Sequence, residues 1–250
     1  MLYSGTIDRG DGVRLAYQSR TGEGPCFVWL CGFMSDMNGA KALALDDWAA
    51  TEGRPFLRFD YSGCGQSEGK FEDGTISRWR DDAMAVLDHI RPGRIVLVGS
   101  SMGGWIALLL AAIRKDIEAL LLVAPAPDFT TDLLWPRLPA EAKRAIEATG
   151  AWRAPSQYVE TGALYTRQLI EDGAKHRVLD KPIVFPGPIH ILHGQQDPDV
   201  PWRRSLDLAD RIAHDDVVLT LLKDGDHRLS RPRDLLRLCR MAATLAEQLP

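Results

Sequence analysis

Gly99-Ser100-Ser101-Met102-Gly103 reads G-x-S-x-G, with Ser101 at its centre. A serine hydroxyl is a weak nucleophile at neutral pH. It needs a base within hydrogen-bonding reach and a further group that orients the base. The setting separates this motif from a chance Gly-Ser loop. Ile95–Val98 before it is a β-branched run that reads as strand, and Met102–Arg114 after it reads as apolar helix. Between two such elements, small flanking residues allow a sharp turn that holds the serine exposed in a strained backbone. The helix start then turns its free N–H groups toward any developing negative charge. The chemistry that fits is acyl transfer to the serine.

Such elbows take their partners in the chain order serine, acid, histidine. The C-terminal third offers both. After the apolar run Ile189–Leu192 comes His193-Gly-Gln-Gln-Asp197-Pro-Asp199, and after Val217–Leu222 comes Lys223-Asp-Gly-Asp226-His227. Loops leaving late strands sit at the carboxyl edge of a parallel sheet, where active sites of this architecture lie. His227 alone among the 6 histidines combines that position with the right order. His89 and His176 lie in helical stretches, His190 lies inside a strand, His193 ends one, and His214 is in a polar turn. These five read as structural or solvated. For the acid, Asp197 leads Asp199, with Asp128 as an outside candidate; Asp226 reads as a solvated loop residue.

An oxyanion needs two backbone N–H donors. Met102, directly after the nucleophile, supplies one. The loop Cys31-Gly32-Phe33-Met34, after the run Cys26–Leu30, supplies the other, with Phe33 as the chosen donor. Cys31, ending an apolar run, reads as an inert buried thiol. Asp60-Tyr-Ser-Gly63-Cys-Gly65-Gln-Ser67 lacks G-x-G-x-x-G spacing and reads as a tight turn rather than a phosphate loop. The arginines of the last helix, Arg231, Arg233, Arg237 and Arg240, read as a solvated face.

The elements that must position these residues alternate. Strands are expected at Leu2–Asp8, Val13–Gln18, Cys26–Leu30, Phe56–Phe59, Ile95–Val98, Ile117–Val123, Ile189–Leu192 and Val217–Leu222. Helices are expected around Gly39–Thr51, Ile76–Ile90, Met102–Arg114, Trp202–Ala213 and Arg231–Gln248. The alternation predicts an α/β fold: a mostly parallel eight-stranded sheet flanked by helices. It breaks between about 128 and 187, where prolines punctuate two or three short helices. That stretch reads as a helical cap inserted into one domain spanning 1–250. It balances eight basic against eight acidic residues and carries Phe129, Leu133, Leu134, Trp135, Trp152, Tyr158, Leu164 and Tyr165. These could line an apolar pocket or merely glue the cap down.

Composition narrows the class. A chain of 250 residues with net charge −4 carries no basic excess that would attract nucleic acid. Its longest apolar run, Trp105–Ile113, is about half a bilayer crossing, so no stable membrane insertion is expected. The four cysteines show no CxxC pair or zinc spacing, and the first residues lack a targeting pattern. The expected location is therefore cytoplasmic, with neither metal nor organic cofactor; oligomeric state is open.

In order and spacing these residues resemble the α/β-hydrolase fold superfamily over essentially the whole chain. Within it they resemble the abhydrolase-domain palmitoyl-protein thioesterases of mitochondria, also described as mycophenolic acid acyl-glucuronide esterases. Stretches away from the elbow carry part of that likeness: Met37-Asn38-Gly39-x-Lys41, Pro155-Ser156-x-Tyr158, Val200-Pro201-Trp202 and Asp226-His227-Arg228. The resemblance implies nucleophile, acid and base at Ser101, Asp197 and His227. Some relatives of the fold place the acid near Asp128. The implied activity is hydrolysis of a small-molecule ester or an acylated thiol or protein through an acyl-serine. Peptide, lactone or carbon–carbon bond hydrolysis, and a non-catalytic binding role on the same scaffold, are the rivals.

Overall fold

The structure is a computed structural model and describes residues 1–156 and 160–249. Its frame is the sheet that the alternation predicts. Eight strands pair in the order β1-β2-β4-β3-β5-β6-β9-β10. They are β1 (Leu2–Asp8), β2 (Arg14–Arg20), β3 (Cys26–Leu30), β4 (Phe56–Phe59), β5 (Ile95–Ser100), β6 (Ile117–Val123), β9 (Ile189–Gly194) and β10 (Val217–Leu222). β1 and β2 form an antiparallel hairpin and β2 runs antiparallel to β4; the remaining pairs are parallel.

Burial explains the sequence pattern of each strand. β3, β5 and β9 are buried along their whole length, which is why they read as continuous apolar runs rather than alternating ones. Edge strands β1 and β10 remain partly open to solvent. The helices are α1 (Ala40–Thr51), α2 (Ile76–Ile90), α3 (Met102–Ala111), α7 (Arg203–Arg211) and α8 (Pro232–Gln248). α1 packs on α8 and α2 packs on α3, and Trp79 and Trp105 are fully buried from the latter pair. α3 is nearly all apolar because it is buried on every side, whereas α2 presents only one apolar face. None of the described helices is long and apolar enough to cross a membrane.

Residues 128–187 depart from expectation. A π-helical turn (Thr130–Leu134) leads into the single turn α4 (Trp135–Arg137), then α5 (Ala140–Thr149). An antiparallel hairpin of β7 (Ala151–Ala154) and β8 (Ala163–Thr166) follows, then α6 (Arg167–Gly173) and a 3-10 turn, Ala174–His176. Only helices were expected here. Four-residue strands are too short to show a period, and Ala-Trp-Arg-Ala lacks β-branched residues. What makes the hairpin is tertiary: Trp152 pairs with Tyr165 and both pack on the buried trio Leu138, Ala142 and Ile146. Tyr158 lies outside the described residues.

Carboxylates close this segment on itself and tie it to α2 and α7. Asp128 accepts hydrogen bonds from the Val178 and Leu179 amides at 2.9 and 3.0 Å, joining the start of the segment to its far end. Asp132 bridges Arg177 and Arg204 at 2.5 and 2.6 Å. Asp172 accepts from the Ser77 amide and hydroxyl at 2.7 and 2.8 Å.

Candidate active site

All the parallel strands end on one rim, and the loops leaving β3, β5, β9 and β10 bring the predicted residues together there. Ser101 sits between β5 and α3 with φ 53 and ψ −117, a backbone region that L-residues rarely adopt. The flanking glycines are sterically required. A Cβ on Gly103 would meet the Leu30 carbonyl oxygen at 2.0 Å, and one on Gly99 would meet the Gly103 oxygen at 2.4 Å. The strained turn is held by the Ser101 amide donating to Val123 O at 2.9 Å and by Ala126 and Gly104 donating back to Ser101 O.

The Ser101 hydroxyl faces His227 Nε2 at 3.1 Å, and His227 Nδ1 faces Asp197 Oδ2 at 2.6 Å. A carboxylate only accepts, so Nδ1 carries the proton and Nε2 is left to receive one from the serine. The Asp197 side chain is fully buried while the His227 side chain stays 16% exposed. The second Asp197 oxygen accepts from the Asp199 and Val200 amides, each at 2.8 Å. Burial alone would raise the Asp197 carboxyl. The hydrogen bonds from His193 and His227, with the attraction of His227, outweigh it and hold the group well below the ordinary carboxylate range.

The rival acids are otherwise occupied. Asp128 is buried against the Val178 and Leu179 amides. Asp199 lies on the wall of the cavity, and Asp226 is spent on the Leu229 amide at 2.9 Å. Asp197, Asp199 and His227 each present a ligand atom within 4.8 Å of the others. A cation there would compete with His227 for the oxygen to which it is hydrogen-bonded.

Met102 is the first residue of α3, so its N–H belongs to the unsatisfied donors of a helix start. Gly32 brings the loop after β3 close: a Cβ there would lie 3.4 Å from Ser101 Cβ. Phe33 and Met102 border the same cavity as Ser101 and His227. The Phe33 ring anchors its loop by stacking on Tyr165 at 5.6 Å and by edge contacts with Phe71 and Trp79 at 5.2 and 6.0 Å. Asp60 steadies the neighbouring loop by accepting from the Met37 and Gln66 amides at 2.7 and 2.8 Å. The stretch Asp60–Ser67 is therefore the supporting turn that its sequence suggests. Cys31 is buried, and burial first of all pushes its thiol well up, as an unreactive thiol requires.

The cavity over Ser101 measures about 780 Å³. Of the aromatic and aliphatic residues singled out in 128–187, Phe129, Leu133, Leu134, Trp152 and Tyr165 line it. Trp135 packs instead against the small core of that segment, and Leu164 is buried away from the cavity. The wall also carries Arg137, together with Lys41 and Arg228, which the sequence named only within stretches of family likeness and with no role. Lys41 donates to the Arg228 carbonyl. Burial, with the nearby Arg228 charge, pushes its ammonium down to about 8 against the pull of Asp226. His193 was also missed. It does not merely end β9: its Nε2 lies 3.1 Å from Asp197 Oδ2. The four-residue spacing from His193 to Asp197 across a Gly turn was the available signal.

Residues 27–238 match the alpha/beta hydrolase family. The chain belongs to that family. It is 38% identical over 231 residues to a Homo sapiens protein named mitochondrial palmitoyl-protein thioesterase ABHD10, covering 92% of this chain and 75% of that one. The Mus musculus protein of the same name is 39% identical over 238 residues, covering 93% and 79%. Among solved structures, a putative hydrolase from Agrobacterium vitis S4 superposes with a TM-score of 0.93 at 44% identity, covering 98% of both chains. Mouse alpha/beta hydrolase domain-containing protein 10 superposes with a TM-score of 0.90 at 36% identity, covering 98% of this hydrolase and 99% of that chain. These findings correct one expectation. Reduced thiols and an N-terminus without a targeting pattern suggested a cytoplasmic protein, but relatives at this level of identity are named mitochondrial. Buried free thiols are compatible with any reducing compartment, so they do not choose between the two.

Proposed function

We propose that this hydrolase cleaves carboxylic esters or thioesters through an acyl-serine intermediate, with Ser101 as nucleophile, His227 as base and Asp197 as its orienting acid. The observation that carries the reading is the unbroken line from hydroxyl to imidazole to carboxylate, at 3.1 and 2.6 Å. As Ser101 attacks the acyl carbonyl, its proton passes to His227 Nε2. Asp197 holds the tautomer and stabilises the imidazolium. The N–H groups of Phe33 and Met102 receive the oxyanion. Its collapse expels the leaving group, an alcohol or a thiol, which takes the proton from His227 and so returns the imidazole to its neutral form. Water, deprotonated by His227, then attacks the acyl-serine and releases the acid.

Residues 128–187 act in this reading as a cap within one domain spanning the chain, and its aromatic face receives the acyl group. A cavity of about 780 Å³ lies in the size range of small-molecule sites and has room for a long chain. The relatives named palmitoyl-protein thioesterase make an acylated protein or thiol the substrate class to try first. The test is incubation with a serine-directed fluorophosphonate, followed by peptide mapping, alongside p-nitrophenyl esters and acyl thioesters of graded length. An adduct on Ser101 is expected, with rates that hold or rise up to long chains. Absence of the adduct would overturn the nucleophile. Rates that fall steadily with chain length would overturn the long-acyl reading and leave the esterase.

A further inference from the structure

His193 is fully buried, and both its ring nitrogens are engaged. Nε2 faces two atoms, Asp197 Oδ2 and Val200 O, each at 3.1 Å. Both are pure acceptors, so Nε2 must carry a hydrogen. Nδ1 meets Ser205 Oγ at 2.6 Å, and Ser205 on α7 is itself fully buried. With the ring hydrogen on Nε2, the Ser205 hydroxyl donates to Nδ1. Asp197 Oδ2 therefore receives two imidazole N–H groups, from His227 at 2.6 Å and from His193 at 3.1 Å. With the Asp199 and Val200 amides on Oδ1, the carboxylate is saturated and its plane is fixed.

We propose that His193 is a positioning residue for the Ser101–His227–Asp197 relay: its Nε2–H shares the Asp197 oxygen that holds His227, locking the carboxylate plane and tempering its basicity toward the imidazole. The inference rests on the serine-hydrolase reading above. Each added donor to a carboxylate stabilises its charge and weakens its pull on any other proton. Removing the His193 donor leaves Asp197 freer to rotate and more basic. The first effect misaligns His227 for proton transfer. The second stabilises the His227 imidazolium, so protonation blocks the base at a higher pH. The other groups that face this pair are Asp199, Lys41, Arg137 and Arg228 on the cavity wall, Tyr165 near Asp199, Asp226 beside His227, and Arg204 of α7, which is engaged with Asp132. They are the same in every variant below, so differences report on His193.

The test is the pH profile of p-nitrophenyl ester hydrolysis by the full chain. For His193→Leu, kcat should fall about 10–100-fold with KM within about twofold, and the midpoint of the acidic limb of kcat/KM should rise by about 0.5–1 pH unit. His193→Gln keeps an N–H near the position of Nε2. It should stay within about threefold of the original kcat with the limb unmoved. Ser205→Ala leaves Nδ1 without its donor and should lower kcat about threefold. A wild-type rate and limb in His193→Leu would overturn the inference. So would equal losses in the Leu and Gln variants with the limb in place, the mark of a merely structural role. If circular dichroism shows that the Leu variant does not fold, the other two decide. Near-normal Gln with reduced Ser205→Ala supports the proposal, and a loss above about tenfold in Gln or an unchanged Ser205→Ala overturns it. Failure of the unmodified protein to take the fluorophosphonate on Ser101 would defeat the triad reading itself. Labelling with indifferent His193 variants would defeat this inference alone.

Discussion

Ser101, Asp197 and His227 each leave the end of a parallel strand, and β5 and β9, which carry the first two, are buried along their whole length. Residues 128–187 cross the same rim on short helices, one hairpin and a π-helical turn, with a core of their own of only a few side chains. The first region is positioned by backbone: ladder pairing, a strained turn and glycines that admit no side chain. The second is positioned by side chains, through Asp128, Asp132, Asp172 and the Phe33–Tyr165 stack. On the proposed function, the chemistry sits where strand pairing and glycines fix the backbone, and the surface that would receive the acyl group is held by side-chain contacts. A change at the rim should alter rate without altering which substrate is preferred. A change in the segment should do the reverse.

Ser101→Ala is the largest expected break. Members of a triad act as a unit, so kcat should fall by about 10⁴-fold while thermal stability changes little. The strained backbone at φ 53 is kept, because alanine carries the same Cβ. Stopped assays on the variant measure the residual rate. Activity within about tenfold of the original would mean that the rim does not carry the reaction.

The same contrast explains what the sequence made legible. Strand positions and the rim residues could be read because continuous apolar runs, a strand–turn–helix motif and chain order each have a local signature. β9 and β10 fall where the runs Ile189–Leu192 and Val217–Leu222 place them. The hairpin of β7 and β8 could not be read, because Trp152 and Tyr165 become strand residues only through packing on Leu138, Ala142 and Ile146. Nor could the use of Asp128. Its fate is set by amides fifty residues away, and no local pattern separates an acid that serves a histidine from one that closes a loop. His193 was passed over for a related reason. Its four-residue spacing to Asp197 was visible, but the shared oxygen was not.

Asp128→Ala is the second break, directed at the segment. It removes the acceptor for two buried amides, and two unsatisfied N–H groups should cost about 2–4 kcal/mol. Burial, opposed by those same amides, lifts the Asp128 carboxyl above its usual value. Chemical denaturation measures the loss. If the variant is as stable as the parent, the two ends of the segment are not tied together by this carboxylate.

Tyr165→Ala sharpens the comparison on the specificity side. It removes the ring stacked on Phe33 and opens the cavity wall. Long-chain esters should lose about tenfold in kcat/KM, while acetate and butyrate esters stay within about threefold, since the short chains make no use of that surface. An equal loss for all lengths would mean that Tyr165 serves only to hold the Phe33 loop, and the two regions would be less separable than the architecture suggests.

Lys41 supplies the smallest effect and a test by pH. Burial and the Arg228 charge push its ammonium from the ordinary 10.5 down to about 8 in the folded chain. Below pH 8 both folded and unfolded chains carry the proton, and the folded one bears the full cost of a poorly solvated cation. Between about 8 and 10.5 the folded chain releases the proton first, so the unfolded chain binds more protons and stability rises with pH. Above that window both are neutral and the cost is gone. Lys41→Met should accordingly stabilise the protein by about 1 kcal/mol at pH 7, less than the full shift implies because the site opens on the cavity. That advantage should shrink toward nothing as pH approaches 10.5. Paired urea titrations at pH 7 and pH 10 measure the difference. A gain that did not depend on pH would trace to packing instead, and would place Lys41 with the backbone-fixed rim rather than with the adaptable wall.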